Sequence, residues 1–255
     1  MPLFFFGHGS PMNAISDNAY TRMLADLGRK IPKPKAIVCL SAHWLTEGCW
    51  LTGMPKPKTI HDFYGFPDVL FQINYPAPGS PDTARLITTL VDEPKINIDY
   101  EKWGFDHGTW SVLKHIYPKA DVPVLQLSIY FEQSAEYHYQ LGLRLRKLRD
   151  LGILVIGSGN IVHNLRRIRW ESDAKPFDWA VEFDEWVKER LLRREDQALV
   201  CDYQSSAAGK LSVPTPDHYY PLISILGAAD KDEPVRFEYE EIQNASISMR
   251  TLRFG

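Results

Sequence analysis

Apolar residues along the chain gather in short runs separated by polar stretches rich in proline and glycine. Leu3–Phe6, Ala36–Leu40, Val122–Leu127 and Ile153–Ile156 are β-branched, aromatic or leucine-rich and too short for independent helices, so they predict buried strands of one sheet. Longer segments with helical spacing, Asn18–Leu27, Thr83–Val91, Ala135–Leu148 and Phe177–Leu192, predict amphipathic helices around them. This alternation implies an α/β fold with a central, mostly parallel sheet flanked by helices on both faces. Partial alternation over Ser246–Phe254 predicts an additional strand, antiparallel at an edge. The proline-rich stretch from Met54 to Pro81 is a long excursion, and its aromatic content suits a pocket wall. No internal repeat or interdomain linker breaks the pattern, so residues 1–255 are expected to form a single domain.

Composition narrows the function. At 44% hydrophobic and 24% charged residues the chain has material for a packed core, and a net charge of -3 without any basic run argues against nucleic acid as a partner. Cys39, Cys49 and Cys201 form no CxxC pair, which fits reduced thiols and a cytoplasmic location. The start of the chain lacks a basic leader and a small-residue cleavage site. No later segment reaches about eighteen uninterrupted apolar residues, so neither secretion nor a membrane is expected. A domain of 255 residues needs no metal to hold it together, so a metal here would serve chemistry.

Such chemistry is suggested by where the histidines fall. The first predicted strand runs into Gly7-His8-Gly9-Ser10, the second into Ser41-Ala42-His43-Trp44, and the fourth into Gly157-Ser158-Gly159-Asn160, with His163 close behind. In a parallel sheet the carboxyl ends of strands open onto the ligand crevice, so these imidazoles can converge across long sequence separations. His107 in WGFDHGTW and His218 in PTPDHYYP lie in further polar contexts, each after an aspartate. Asp217 is positioned to cap a helix starting near Tyr219, with Pro221 in its first turn. Three or four such histidines suit Fe, Zn, Mn or Co, and spacing alone does not choose among them. His115 and His138 lie in helix-like surroundings and read as surface or packing residues, and Arg166, Arg167 and Arg169 read as a solvated face. GSGNIVHN lacks the third glycine of a dinucleotide fingerprint and GHGSP is not a GxSxG elbow, which disfavours nucleotide binding and serine hydrolysis.

The segments FFGHGSPMNAI, SAHW, IHDFYGFP, YPAPGSP, WGFDHGTWSVLKHIYP, PVLQLS, GSGNIVHNLR and PTPDHYYPLISILGAA occur in that order. In them the chain resembles the bacterial 4,5-DOPA dioxygenase extradiol-like family, a group of class III extradiol ring-cleaving dioxygenases, over nearly its whole length. The resemblance implies that His8, His43 and His218 are metal ligands, with His163 beside or on the metal. It implies one divalent metal per chain, iron(II) for turnover with zinc compatible as the bound ion, and a small aromatic diol and O2 as partners. His163 is then the expected acid-base residue, and His107 would orient or stabilise the dioxygen-derived anion. His61, Phe63 and Tyr64 would close around the ring, with Asp62, Asp106 and Asp217 orienting neighbouring imidazoles. A zinc-dependent hydrolase and a metal-binding homologue without catalysis stand as alternatives, and a homo-oligomer is compatible with the composition.

Overall fold

The computed structural model describes residues 1–171 and 174–255. Eight strands form its central sheet: β1 Leu3–Gly7, β2 Ala36–Thr46, β3 Cys49–Thr52, β4 Ile96–Asp99, β5 Val124–Tyr130, β6 Ile153–Gly159, β7 Val235–Tyr239 and β8 Thr251–Phe254. Their spatial order is β4-β3-β5-β2-β6-β1-β8-β7. The four central neighbours β5, β2, β6 and β1 run parallel. Alternate side chains of β1 serve two separate cores, Leu3 and Phe5 on one face and Phe4 and Phe6 on the other. A strand buried on both faces has few polar positions, which is why these segments read as nearly continuous apolar runs, broken only by buried Gln126 in β5.

The main helices are α1 Ala19–Lys30, α2 Pro81–Leu90, α3 His107–Ile116, α4 Ala135–Leu145, α5 Asp178–Arg193 and α6 Tyr220–Ala228. Leu24 and Leu27 of α1 and Leu113 of α3 cover the Phe4/Phe6 face, whereas Leu141 of α4, Val187 of α5 and Ile223 of α6 cover the other. The expected α/β architecture with helices on both faces is therefore present. Among the described residues, no helix is long and apolar enough to cross a membrane.

Three features depart from the sequence reading in ways that bear on the site. The second strand continues past Leu40 to Thr46, and its pairing with β5 slips between Leu40 and Leu45. Ser41–Trp44 form that irregular stretch, so His43 projects from a distorted strand rather than from a loop after it. The last strand is antiparallel as expected but lies inside the sheet, between β1 and the edge strand β7. Its beginning, Ile247–Ser248, pairs separately with Ile242–Gln243. Finally, Asp217 does not cap α6; the capping position is Tyr219, without a side-chain hydrogen bond, and Asp217 is engaged by His218 instead. The excursion from Met54 to Pro81 does carry small elements, a Lys58–Thr59 strand paired with Gly104–Phe105 and a turn of helix at Asp68–Phe71.

Candidate functional site

The carboxyl ends of β1, β2 and β6 lie side by side, and their histidines meet there. His8 leaves β1 next to β6, where its backbone N–H donates to Gly159 O at 3.1 Å. On the other side of β6, Asn160 N donates to His218 O at 3.0 Å, drawing the start of α6 to the same place. Gly159 makes this approach possible, since a Cβ there would run into the His218 carbonyl. His107 opens α3, whose preceding residue Asp106 caps it by accepting from Thr109 N at 3.2 Å.

His8 Nε2 and His43 Nε2 are 3.0 Å apart. The ring centroids of His8, His43 and His218 form a triangle with sides of 5.0, 5.4 and 4.9 Å. Imidazoles bound to one ion through nitrogens at about 2.1 Å leave their centroids about 5 Å apart, so this triangle fits a shared divalent ion. His218 Nε2 is buried and lacks a hydrogen-bond partner, an orphan of the kind a metal satisfies. His107 is also close, at 4.0 Å from His43 and 5.4 Å from His8, and the ligand atoms of His8, His43 and His107 all lie within 4.8 Å of one another. His163, Asp217 and His218 form a second such group. His163 stacks on His218 with centroids 3.5 Å apart and planes within 6°.

The outer nitrogens of these rings are held in place. His8 Nδ1 lies 3.0 Å from Ser158 Oγ, and the Ser158 hydroxyl donates to Gly108 O at 2.5 Å. Because the hydroxyl hydrogen is engaged there, Ser158 accepts from His8, which places the imidazole hydrogen on Nδ1 and leaves Nε2 bare. Asp62 accepts from His107 Nδ1 at 2.9 Å and lies 3.3 Å from His43 Nδ1, and Asp217 accepts from His218 Nδ1. Burial, reinforced by the neighbouring imidazoles, drives His8 and His43 well below the ordinary histidine pKa, and burial together with His218 does the same to His163. Burial pushes the Asp62 carboxyl upward, but the hydrogen bonds and charge of His107 outweigh it and hold Asp62 below the usual carboxylate range. Below the cluster, buried Asp106 accepts from Ser41 Oγ at 2.7 Å and from Gln126 Nε2, and burial raises its pKa to about 6.

The structure thus brings His8, His43, His107, His163 and His218 together, with Phe63 touching the group edge-on at 5.6 Å from His107. His61 is turned away, donating through Nε2 to Ile73 O at 3.0 Å and packing on Trp110 and Phe71. Tyr64 is 92% exposed. Arg166, Arg167 and Arg169 are exposed as expected, and buried His138 packs on Tyr220. Ser158 was not singled out by the sequence; its place between two glycines at a strand end is the only sign it gives there.

A family model for the catalytic LigB subunit of aromatic ring-opening dioxygenase matches residues 4–255. The chain belongs to the LigB family. It is 47% identical to 4,5-DOPA dioxygenase extradiol of Escherichia coli K12, over 100% of this chain and 95% of that protein. It is 37% identical to 4,5-DOPA dioxygenase extradiol of Beta vulgaris, over 98% of this chain and 95% of that one. The crystal structure of an uncharacterized Escherichia coli K12 protein superposes over the whole of both chains with a TM-score of 0.88 at 44% identity. This LigB-family chain is an extradiol ring-opening dioxygenase, which sets aside the hydrolase and the non-catalytic homologue as alternatives.

Proposed function

We propose that this LigB-family enzyme opens the ring of a catechol such as DOPA by 4,5-extradiol cleavage, adding both atoms of O2 to give a seco-DOPA-type product. Residues 1–255 act as one catalytic domain, working in the cytoplasm. The substrate assignment is supported by the DOPA dioxygenases among its relatives. The observation that carries the reading is the convergence of His8, His43 and His218, with His218 Nε2 buried and unpartnered.

These three imidazoles would hold one divalent ion. Bound there, iron(II) supplies the electron-transfer chemistry that couples dioxygen to a catechol, a route closed to zinc. His163 has a different part. Two parallel rings 3.5 Å apart do not aim their in-plane lone pairs at a common point, so with His218 as ligand His163 stands beside the metal. Neutral because it is buried, His163 is suited to accept a proton from a catechol hydroxyl and to return it later. With Nδ1 engaged by Asp62, His107 turns Nε2 toward the cavity, where it can orient dioxygen or a substrate hydroxyl. Phe63 supplies an apolar wall beside these groups that keeps water away, and His61 supports that wall from behind.

The test is anaerobic purification, reconstitution with iron(II) or zinc, and oxygen uptake with a panel of catechols. One O2 consumed per catechol and a yellow ring-opened product, with iron and not with zinc, is the expected result. Zinc-supported hydrolysis without oxygen uptake would overturn the reading.

A further inference from the structure

We propose that Asp62 is a positioning residue that orients two imidazoles through a single carboxylate oxygen and thereby ties the aromatic loop over the site to His43. The proposal rests on the reading of His43 as a metal ligand. Asp62 Oδ2 lies 2.9 Å from His107 Nδ1 and 3.3 Å from His43 Nδ1, while Oδ1 accepts from the His107 backbone N–H at 2.8 Å. An ionised carboxylate offers only acceptors, so His107, which donates to it through Nδ1 at 2.9 Å, carries its hydrogen there, and the negative Oδ2 at 3.3 Å from His43 Nδ1 favours the same tautomer at His43. Each then presents a bare Nε2 to the cavity, the form a metal ligand requires. One side chain thus sets the tautomer of a proposed ligand and of the imidazole 4.0 Å from it.

The same contact anchors the loop. At its start, Ile60 N donates to Phe105 O at 2.7 Å and Trp110 Nε1 donates to Ile60 O at 2.8 Å. Beyond Asp62, Phe63 rests against His107, but Tyr64 is 92% exposed and Gly65 has φ +76° with open space where a Cβ would stand. Asp62 is the inward anchor of this turn, and its side chain is only 15% exposed. Wherever the carboxylate goes, Phe63 follows, so the apolar wall and the inner lone pairs depend on one group.

Asp62→Asn is the informative variant, because no orientation of an amide reproduces the pattern. With its NH2 in the place of Oδ2, a donor faces both Nδ1 atoms and the imidazoles must move their hydrogens to Nε2. With the amide reversed, the NH2 faces the His107 N–H, donor against donor.

Nitrogen-15 histidine spectra of metal-free protein report each tautomer, zinc titration against a chelator reports affinity, and hydrogen exchange reports the loop. Expected in wild type is Nδ1–H at His107. Expected in Asp62→Asn are an Nε2–H population at His107, zinc binding weaker by about 10- to 100-fold, and faster exchange over residues 60–66. Asp62→Glu, which keeps both acceptor oxygens, should retain Nδ1–H. Wild-type signals of Nε2–H at His107 would overturn the proposal without any variant. Zinc affinity within about twofold of wild type in Asp62→Asn would also overturn it, as would the same tautomer change in Asp62→Glu. A wild type that takes up no zinc would sink the metal reading instead, and the metal-free spectra would still decide the role of Asp62.

Discussion

His163 lies face to face on His218, ring centroids 3.5 Å apart, and its burial keeps it neutral at ordinary pH. Stacking fixes the ring without engaging its nitrogens, which suits a proton carrier better than a ligand. In His163→Ala the metal content should stay at the wild-type level while ring cleavage falls by about 100- to 10,000-fold. Metal analysis paired with oxygen uptake separates the roles, since loss of the metal would make His163 a ligand.

Ser158 accepts from His8 and donates to Gly108, 150 and 50 residues away in the chain. Ser158→Ala leaves a buried N–H and a buried carbonyl without their partner, at a cost of about 1–3 kcal/mol. Zinc affinity should drop by about tenfold or more, because the His8 tautomer is then free to change. Denaturant unfolding of the metal-free protein and chelator competition would measure the two effects, and an unchanged affinity would remove Ser158 from the support of the site.

Phe63 and Tyr64 are neighbours in sequence, the first half-buried against His107 and the second exposed. Removing the Phe63 ring should raise the KM for a catechol by about 3- to 10-fold, in line with the worth of one aromatic contact. Tyr64→Ala should stay within about twofold. Steady-state kinetics on both variants checks the contrast, and a larger effect at Tyr64 would mean that the loop closes further on substrate.

His138 offers a pH signature away from the proposed metal ligands. It is fully buried against Tyr220, and burial lowers its pKa from 6.5 to about 4. Between those values the unfolded chain binds a proton that the folded one refuses. Stability is therefore complete above about 6.5, declines as pH falls, and has lost its full share below about 4, a total on the order of 3 kcal/mol. His138→Gln retains a donor for Tyr130 O and cannot titrate, so its unfolding midpoint should fall less steeply over that window than the wild type's.

Gly142 of α4 lies against α6, the helix that follows His218, and a Cβ there would run into the Ser224 carbonyl. Gly142→Ala should destabilise the protein by about 1–3 kcal/mol, since backbone on one side leaves no room to repack. A melting temperature equal to wild type would show that the two helices can part without cost.

The four central strands were legible because burial on both faces leaves few polar positions in their leading halves. The flanking strands β3, β4 and β7 were not, because they are short and carry polar residues, Thr52 buried in β3, Asn97 and Asp99 in the edge strand β4, and Arg236 and Glu238 in the edge strand β7. Helix α3 was legible only in the helix-like surroundings of His115, its first part from His107 to Leu113 being buried throughout and carrying Gly108. His8 and His163 could be placed beyond strand ends from local pattern alone, and His43 near one, although it lies within β2. What holds them could not, since Ser158 and Asp62 act on rings far away in the chain and only the packed sheet brings them together.

The place of β8 next to β1 has a consequence for how the protein is made. Among the described strands, β1 leaves the ribosome first and β8 last, yet they pair directly, Leu3 with Phe254 and Phe5 with Leu252. Until β8 has been made one edge of β1 stays open, and His218 has not yet reached His8 during most of that time. A nascent chain therefore carries His8 and His43 without their third companion, and a metal held by all three would have to wait until His218 has been made.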